Sequence, residues 1–504
     1  MPNPLYDTLF GKYTGHSTTF LFMPDGKKIS HDSFIRMAGR SANALSEMGL
    51  SVGDRVAVQI DKSPEALAVY AACVQSGLVY LPLNTAYTPT EVSYFIEDSG
   101  AKLFICKGSK EEQLVDVSSK FGASMETLNA DGTGSFPVLT QNKDDSFNTV
   151  ERDAEDLAAL LYTSGTTGRS KGAMLSHSNL LSNANALAEL WQFTAKDVLL
   201  HALPIFHTHG LFVATNVTLV AGGSMIFIQK FDLESIVRNI PNATTMMGVP
   251  TFYTRLLNDS RFNKDLTRHM RLFVSGSAPL LSETHVQFEA RTGHRILERY
   301  GMTETNMNTS NPYDGERRAG TVGFPIPGIE IKITDSKTGK ELSNGEIGEI
   351  EVRGPNVFRG YWQMPEKTAE ELRKDGFFIT GDLGSIDHDG YLQISGRNKD
   401  VIISGGYNIY PKEIELLLDD QPGVMESAVI GLAHPDLGEV VAGILVPEHG
   451  ASLDLDELAK TINSSLAKYK QPLKLIVIPE LPRNTMGKVQ KNILREEYKN
   501  LFMP

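Results

Sequence analysis

The feature that most constrains this chain is the alternation of short apolar runs with helix-patterned stretches. DRVAVQI (54–60) reads as a strand, SPEALAVYAACVQSG (63–77) as a helix, VYLPL (79–83) as a strand again and KLFICK (102–107) as another. Apolar strands joined by crossover helices predict a parallel sheet covered on both faces. The same grammar resumes in SMIFI (224–228), DLESIVRNI, TTMMGV (244–249) and MRLFVSG (270–276). Near residue 330 it changes. EIEVRG, GYLQISG and VIISGG are short strands separated by turn residues such as HDG and GG. A helix is predicted to open at Pro411, with Ile414, Leu417 and Leu418 on one face. AVIGL, AGILVP and LIVIP are further strands, with a helix near LDELAKTINSSLAKY. The expected fold class is α/β. A large N-terminal domain (1–396) holds mainly parallel sheets covered by helices, and a small α+β domain follows (397–504). GRNKD (396–400), polar and led by glycine, is the linker candidate.

One stretch breaks the grammar. YTSGTTGRSKGAMLSH (162–177) carries Gly165, Gly168 and Gly172 among hydroxyls, with Arg169 and Lys171 in the same loop. Closely spaced glycines let backbone N–H groups converge on an anion. Phosphate is the first candidate, but the spacing is not that of a P-loop, G-x-x-x-x-G-K-[ST]. Ser170 stands where the second glycine belongs, and Lys171 is followed by Gly172. A P-loop joins a strand to a helix. Here LAALLY (157–162) and GAML (172–175) both read as strands, and a helix starts only near Ser178.

The 504 residues allow about three domain-sized units by length. The net charge of −13 argues against bulk binding of nucleic acid or anionic membrane, so an anionic ligand must be met by local cations. Cys73 and Cys106 lie in apolar stretches and read as core residues of a reducing compartment. The N-terminal segment lacks the pattern of a secretory signal, and the expected location is cytoplasmic. The stretch 202–229 contains no acid, lysine or arginine, but its Pro204, His207, His209 and Asn216 suit a buried helix followed by a buried strand rather than a membrane span.

Four further motifs line up with the glycine loop: ERYGMTET (298–305), TGD (380–382), GRNKDVIISGGYNIYPKEIE (396–415) and PRNTMGK (482–488). In this order and spacing the chain resembles the ANL superfamily of adenylate-forming enzymes, over essentially its whole length. Ser170 departs from the proline that many members carry. The resemblance implies ATP, Mg²⁺ and coenzyme A as reaction partners, and a C-terminal domain that moves. It places Thr163, Ser164, Gly165, Thr166, Thr167, Gly168, Arg169, Ser170 and Lys171 on the β- and γ-phosphates. Glu304 would bind Mg²⁺ and Thr303 would contact the α-phosphate. Tyr300 would stack on adenine beside Gly276, Ser277 and Ala278, with Glu298 in the same nucleotide pocket. Asp382, helped by Arg397, would take the ribose hydroxyls. Lys488 would bridge the carboxylate and the α-phosphate. Lys399 would be the hinge, and Gly405, Gly406 and Tyr407 would line the pantetheine path. Each position also has an ordinary reading, since charged loop residues are usually solvated.

Attaching AMP to a carboxylate turns a resistant oxygen into a leaving group, after which a thiol attacks. The first step brings an anion onto a polyanion, about 4 kcal/mol per unit pair at 4 Å and an effective dielectric near 20. Cations must offset that. With no carrier domain appended, a diffusible thiol, coenzyme A, is expected. For the acid, Arg255 in GVPTFYTRLL either points inward, needing a second carboxylate as partner, or snorkels to solvent. ALPIFHTHGLFVATNVTL, GVPTFYTRLL, LFVSGSAPLL and RYGMTETNMNTSNPYDGERR are similar to malonyl-CoA synthetases. That likeness implies malonate, with methylmalonate as a second substrate, Arg255 on the distal carboxylate, His207 in the acyl pocket and Met302 with Met307 shortening it. A short-chain monocarboxylate ligase is the alternative, and an inactive nucleotide sensor a further one. Acetylation of Lys488 by an acetyltransferase, reversed by a deacetylase, would switch the enzyme.

Overall fold

The computed structural model describes residues 2–163, 170–404, 407–435, 437–484 and 487–502. These residues form two compact units. The first comprises Met1–Ala319, Gly323–Glu330 and Val352–Phe378, and the second Gly320–Val322, Ile331–Glu351 and Ile379–Pro504. Residues 379–396 lie in the second unit together with 397–504. The hairpin of Phe378–Ile386 with Leu392–Arg397 belongs to a four-stranded sheet most of whose residues lie in the second unit.

The first unit holds two sheets. The nine-stranded sheet runs, in spatial order, Phe324–Pro325, Asn306–Ser310, Leu297–Met302, Leu272–Ser275, Thr245–Gly248, Val198–His201, Ser224–Phe227, Thr19–Phe22 and Lys28–Ser30. Its interior pairs are parallel and its rims antiparallel. The six-stranded sheet runs Ser124–Thr127, Leu103–Cys106, Arg55–Gln59, Val79–Pro82, Leu157–Thr163 and Lys171–Ser176, antiparallel only at the last pair. The strand Leu272–Ser275 is buried along its whole length, as expected for parallel strands covered on both faces. Cys73 and Cys106 are free and buried in this core.

Local chemistry sets the helix ends. In Pro64–Ser76, the Ser63 hydroxyl accepts from the Ala66 N–H, Pro64 takes the first turn and Gly77 closes the helix at φ +70°. In His177–Leu190, Ser176 and Asn179 form a reciprocal capping box that ends the strand and starts the helix within one residue. The apolar stretch after residue 202 is helical and then a strand, as expected, but its first part, His209–Thr215, is a π-helix. Gly210 makes this possible. A Cβ there would lie 1.9 Å from the Pro204 carbonyl oxygen.

In the second unit, the strands Ile402–Ser404, Tyr407–Ile409, Val424–His434, Gly438–Pro447 and Lys474–Val477 form a five-stranded sheet. Its core includes Ile414 and Leu418 of the helix Pro411–Asp419 and Leu458 and Ile462 of Leu455–Ser465. Among the described residues no helix is long and apolar enough to cross a membrane.

Candidate active site

The strands flanking the glycine loop pair antiparallel, with Thr163 opposite Lys171 and Tyr162 opposite Gly172. The loop joins two strands, as its flanks predict. Ser164, Gly165, Thr166, Thr167, Gly168 and Arg169 lie outside the described residues. At the loop's exit the Ser170 carbonyl accepts from the Tyr94 hydroxyl at 2.8 Å. Gly172 leaves room for a crossing segment. A Cβ there would lie 3.3 Å from Cβ of Trp362, whose N–H donates to the Gly172 carbonyl at 2.7 Å. Residues 359–362 thus pair along the strand and carry Tyr361 to the mouth of the loop.

There a polar cluster assembles from distant parts of the chain. Glu304 is 5% exposed and accepts from the Thr163 hydroxyl at 3.3 Å and from the Tyr361 hydroxyl at 3.1 Å. The same phenol lies 2.7 Å from Glu371 Oε2. Lys171 Nζ is 3.1 and 3.2 Å from the two Glu371 oxygens and 4.0 Å from the Tyr361 ring centroid. One phenolic proton serves two carboxylates, and Lys171 with Lys367 offsets their repulsion. Burial pushes the Glu371 carboxyl up, but Tyr361, Lys367 and Lys171 outweigh it and hold it below the usual range. Burial, then Glu304, pushes the Tyr361 phenol well up. Sequence reasoning did not single out Tyr361 or Glu371. In PEKTAEEL the acids read as a solvated helix face.

Mg²⁺ suits this cluster. It usually takes one or two carboxylates plus substrate phosphates. Glu304 offers a buried carboxylate among hydroxyls, next to a lysine fit for phosphate. Among the described residues no group of three or more His, Cys, Asp or Glu could hold a metal unaided.

A second polar cluster lies where the strand Leu272–Ser275 ends. Gly276 follows, then Ser277 in the left-handed region at φ +72°, its hydroxyl 3.1 Å from His209 Nδ1. Strain of this kind at a strand end is characteristic of functional loops. Ala278 is half-buried. Arg299, on the neighbouring strand, is 4% exposed, and its Nε and Nη2 have no hydrogen-bond partner. Burial lowers its pKa to about 9. Nε2 of both His207 and His209 is buried and unpartnered too. Burial lowers His207 to about 4, and holds His209 well down, with Arg299 adding to it, so both imidazoles are neutral near pH 7. Met302 and Tyr300 are half-buried, as is Thr303, and Met307 is fully packed. Glu298 is buried 3.5 Å from His285 Nδ1. Arg255 is exposed on the flank of the helix Pro250–Leu257, its guanidinium 5.7 Å from the Phe231 ring centroid, while Phe252, Tyr253 and Leu256 face inward. The solvent-facing alternative is therefore the one the structure has, and a buried guanidinium is found instead at Arg299.

In the second unit, Arg397 Nε meets Asp382 Oδ1 at 2.5 Å, across a strand pair that puts the two residues opposite each other. Asp382 is buried, and its N–H donates to the Thr380 hydroxyl at 3.1 Å. Lys399 is exposed in a 3₁₀ turn, Asn398–Asp400. Lys488 is exposed on a tight turn in which its N–H donates to Asn484 Oδ1 and its carbonyl accepts from the Asn484 N–H, both at 2.9 Å. Tyr407 is exposed and stacks on Tyr469 at 4.6 Å. Gly405 and Gly406 lie outside the described residues.

Residues 12–362 match the family model of the AMP-binding enzymes, and residues 413–488 that of the AMP-binding enzyme C-terminal domain. A malonate–CoA ligase of Arabidopsis thaliana is 36% identical, over 92% of this chain and 81% of its own length. The mitochondrial malonate–CoA ligase of Bos taurus is 32% identical (94% and 87%), and a long-chain-fatty-acid–CoA ligase of Bacillus subtilis 33% identical (94% and 91%). Among solved structures, ATP-bound MatB from Rhodopseudomonas palustris superposes with a TM-score of 0.98 at 56% identity over the whole of both chains.

Proposed function

We propose, for a chain that belongs to the AMP-binding enzyme family, that it ligates malonate to coenzyme A through a malonyl-adenylate, converting ATP to AMP and pyrophosphate. The observation that carries the choice of acid is Arg299, a buried guanidinium with two unpartnered nitrogens beside Gly276. Breaking a buried ion pair costs about 3–5 kcal/mol, because the remaining charge is left uncompensated. An acid with a second carboxylate supplies the missing partner. A monocarboxylate leaves Arg299 as it is, so a short-chain monocarboxylate ligase is the weaker reading. The malonate–CoA ligases among the relatives, and MatB at 56% identity, support the same choice.

The residue roles are taken from the family motifs. Lys171, at the exit of the glycine loop, would leave Glu371 for the β- and γ-phosphates. Glu304 would hold Mg²⁺, which offsets the repulsion between an incoming carboxylate and the triphosphate. Neutral His207 and His209 wall the acid pocket without adding charge. Asp382 and Arg397 take the ribose. Lys488, exposed on its turn, serves the transfer to the α-phosphate, and Lys399 the reorientation between the two half-reactions. Acetylation of Lys488 removes its charge, and an acetyltransferase and a deacetylase acting there would form a switch. Full activity in a sample stoichiometrically acetylated at Lys488 would overturn that switch.

The experiment that tests the function is acid-dependent release of AMP and pyrophosphate with ATP, Mg²⁺ and coenzyme A. Malonate, methylmalonate, succinate, acetate, octanoate and benzoate are run in parallel. AMP with malonate, and little with acetate or octanoate, is expected. AMP with a monocarboxylate instead would keep the chemistry and discard the substrate, and ADP would discard both.

A further inference from the structure

Lys62 has no role in the reading above. It sits between the strand Arg55–Gln59 and the helix Pro64–Ser76 and is 7% exposed. Its ammonium has three acceptors: His201 Nδ1 at 2.7 Å, the His201 carbonyl at 2.8 Å and the Leu203 carbonyl at 3.0 Å. It also lies 4.3 Å from the Phe227 ring centroid. It forms no ion pair with any described carboxylate.

Burial lowers the Lys62 pKa well below the usual lysine range. The His201 tautomer is fixed from the other side of the ring: the Gly210 carbonyl only accepts, so Nε2 carries the proton and Nδ1 accepts from Lys62. That Nε2 lies 2.8 Å from the Gly210 carbonyl and 3.2 Å from the Thr215 hydroxyl, and the hydroxyl itself donates to Gly210 at 2.9 Å. Gly210 lies in the π-helix, flush against Pro204. Its neighbours carry the acid-pocket wall: His209 reaches Ser277, and the Leu211 N–H donates to the His207 carbonyl at 2.9 Å. A π-helix of seven residues is a costly backbone form that needs outside support. His201, at the end of the strand Val198–His201 that leads into it, and Lys62, which follows a strand of the six-stranded sheet, supply it.

We propose that Lys62 is a positioning residue for the acid. Through the Nε2–H tautomer of His201 it holds the π-helix in register, and so sets the placement of His207 and His209 beside Arg299. This inference rests on the diacid reading of the site.

The test is Lys62→Met, with malonate and ATP kinetics measured separately. The KM for malonate is expected to rise by at least about tenfold while the KM for ATP stays within about twofold. The preference for malonate over propionate is expected to fall. Lys62→Met leaves three buried acceptors without their donor, so the thermal midpoint of the unliganded variant is expected to fall. The split between the malonate and ATP constants, which a general loss of fold would not produce, is therefore the readout that identifies positioning. His201→Asn is the second variant. Its amide can still accept from Lys62 but cannot reach the Gly210 carbonyl, and it is expected to raise the malonate KM in the same way. If Lys62→Met does not fold, His201→Asn decides. Equal changes in the malonate and ATP constants, or no change in either, would overturn the proposal. Wild-type turnover of malonate checks the diacid reading separately.

Discussion

Gly276 lies flat against the guanidinium of Arg299: a Cβ on Gly276 would come within 2.3 Å of Cζ and 2.5 Å of Nη1. The strand end and the buried cation are therefore built for one another. Gly276→Ala is expected to push Arg299 aside and raise the malonate KM by about tenfold, since buried groups must shift to admit a methyl. An unchanged malonate KM would mean that Arg299 does not contact the acid.

Arg299→Met and Arg255→Met should part company. The first is expected to lower kcat/KM for malonate by at least about a hundredfold, the order of cost of leaving a desolvated carboxylate unpaired. The second is expected to stay within about twofold of wild type, as exposed substitutions usually do. Steady-state AMP release checks both, and a larger loss in Arg255→Met would return that residue to the selector's place.

Lys171 pairs with Glu371. Lys171→Met is expected to raise the KM for ATP by about tenfold or more, the loss of a charge-assisted contact. Glu371→Gln frees the ammonium and is expected to lower the ATP KM. ATP titration of the two variants reads both signs, and a rise in both would show that Glu371 aids nucleotide binding.

Stability should fall on mild acidification. Burial brings His31 to about 4, with Lys12 and His16 adding to it and Gly223 opposing. Burial, then Arg152, does the same to His177, with Asp156 opposing. An unfolded histidine titrates near 6.5, so between pH 6.5 and 4 the unfolded state binds more protons and stability rises with pH. Each group contributes a slope of about 1.4 kcal/mol per pH unit in that window. Thermal midpoints measured from pH 7 to 4 are expected to drop, and His177→Gln to flatten the curve. An unchanged slope in that variant would show that His177 is free to protonate in the fold.

Much of this molecule is legible in the order of its residues. The strands, the two-strand setting of the glycine loop and the caps at Ser63, Gly77 and Ser176 are local events. Period, turn chemistry and capping act within a few residues, so sequence determined them. It also put Glu304, Lys171 and Asp382 on the page, because motifs keep their spacing along the chain. What it could not decide is which groups meet. Thr163 and Glu304 are 141 positions apart, Lys171 and Glu371 200, and Lys62 and His201 139. Nor could it tell which arginine is buried. Arg255 lies on the flank of a short helix, where one step of rotation separates core from solvent, and tertiary packing turned it outward. Nothing local in ERYGMTET marks Arg299 as buried, and the neighbouring strand end and Gly276 enclosed it. Burial and pairing are properties of three-dimensional neighbours, and only the packed sheets supply those.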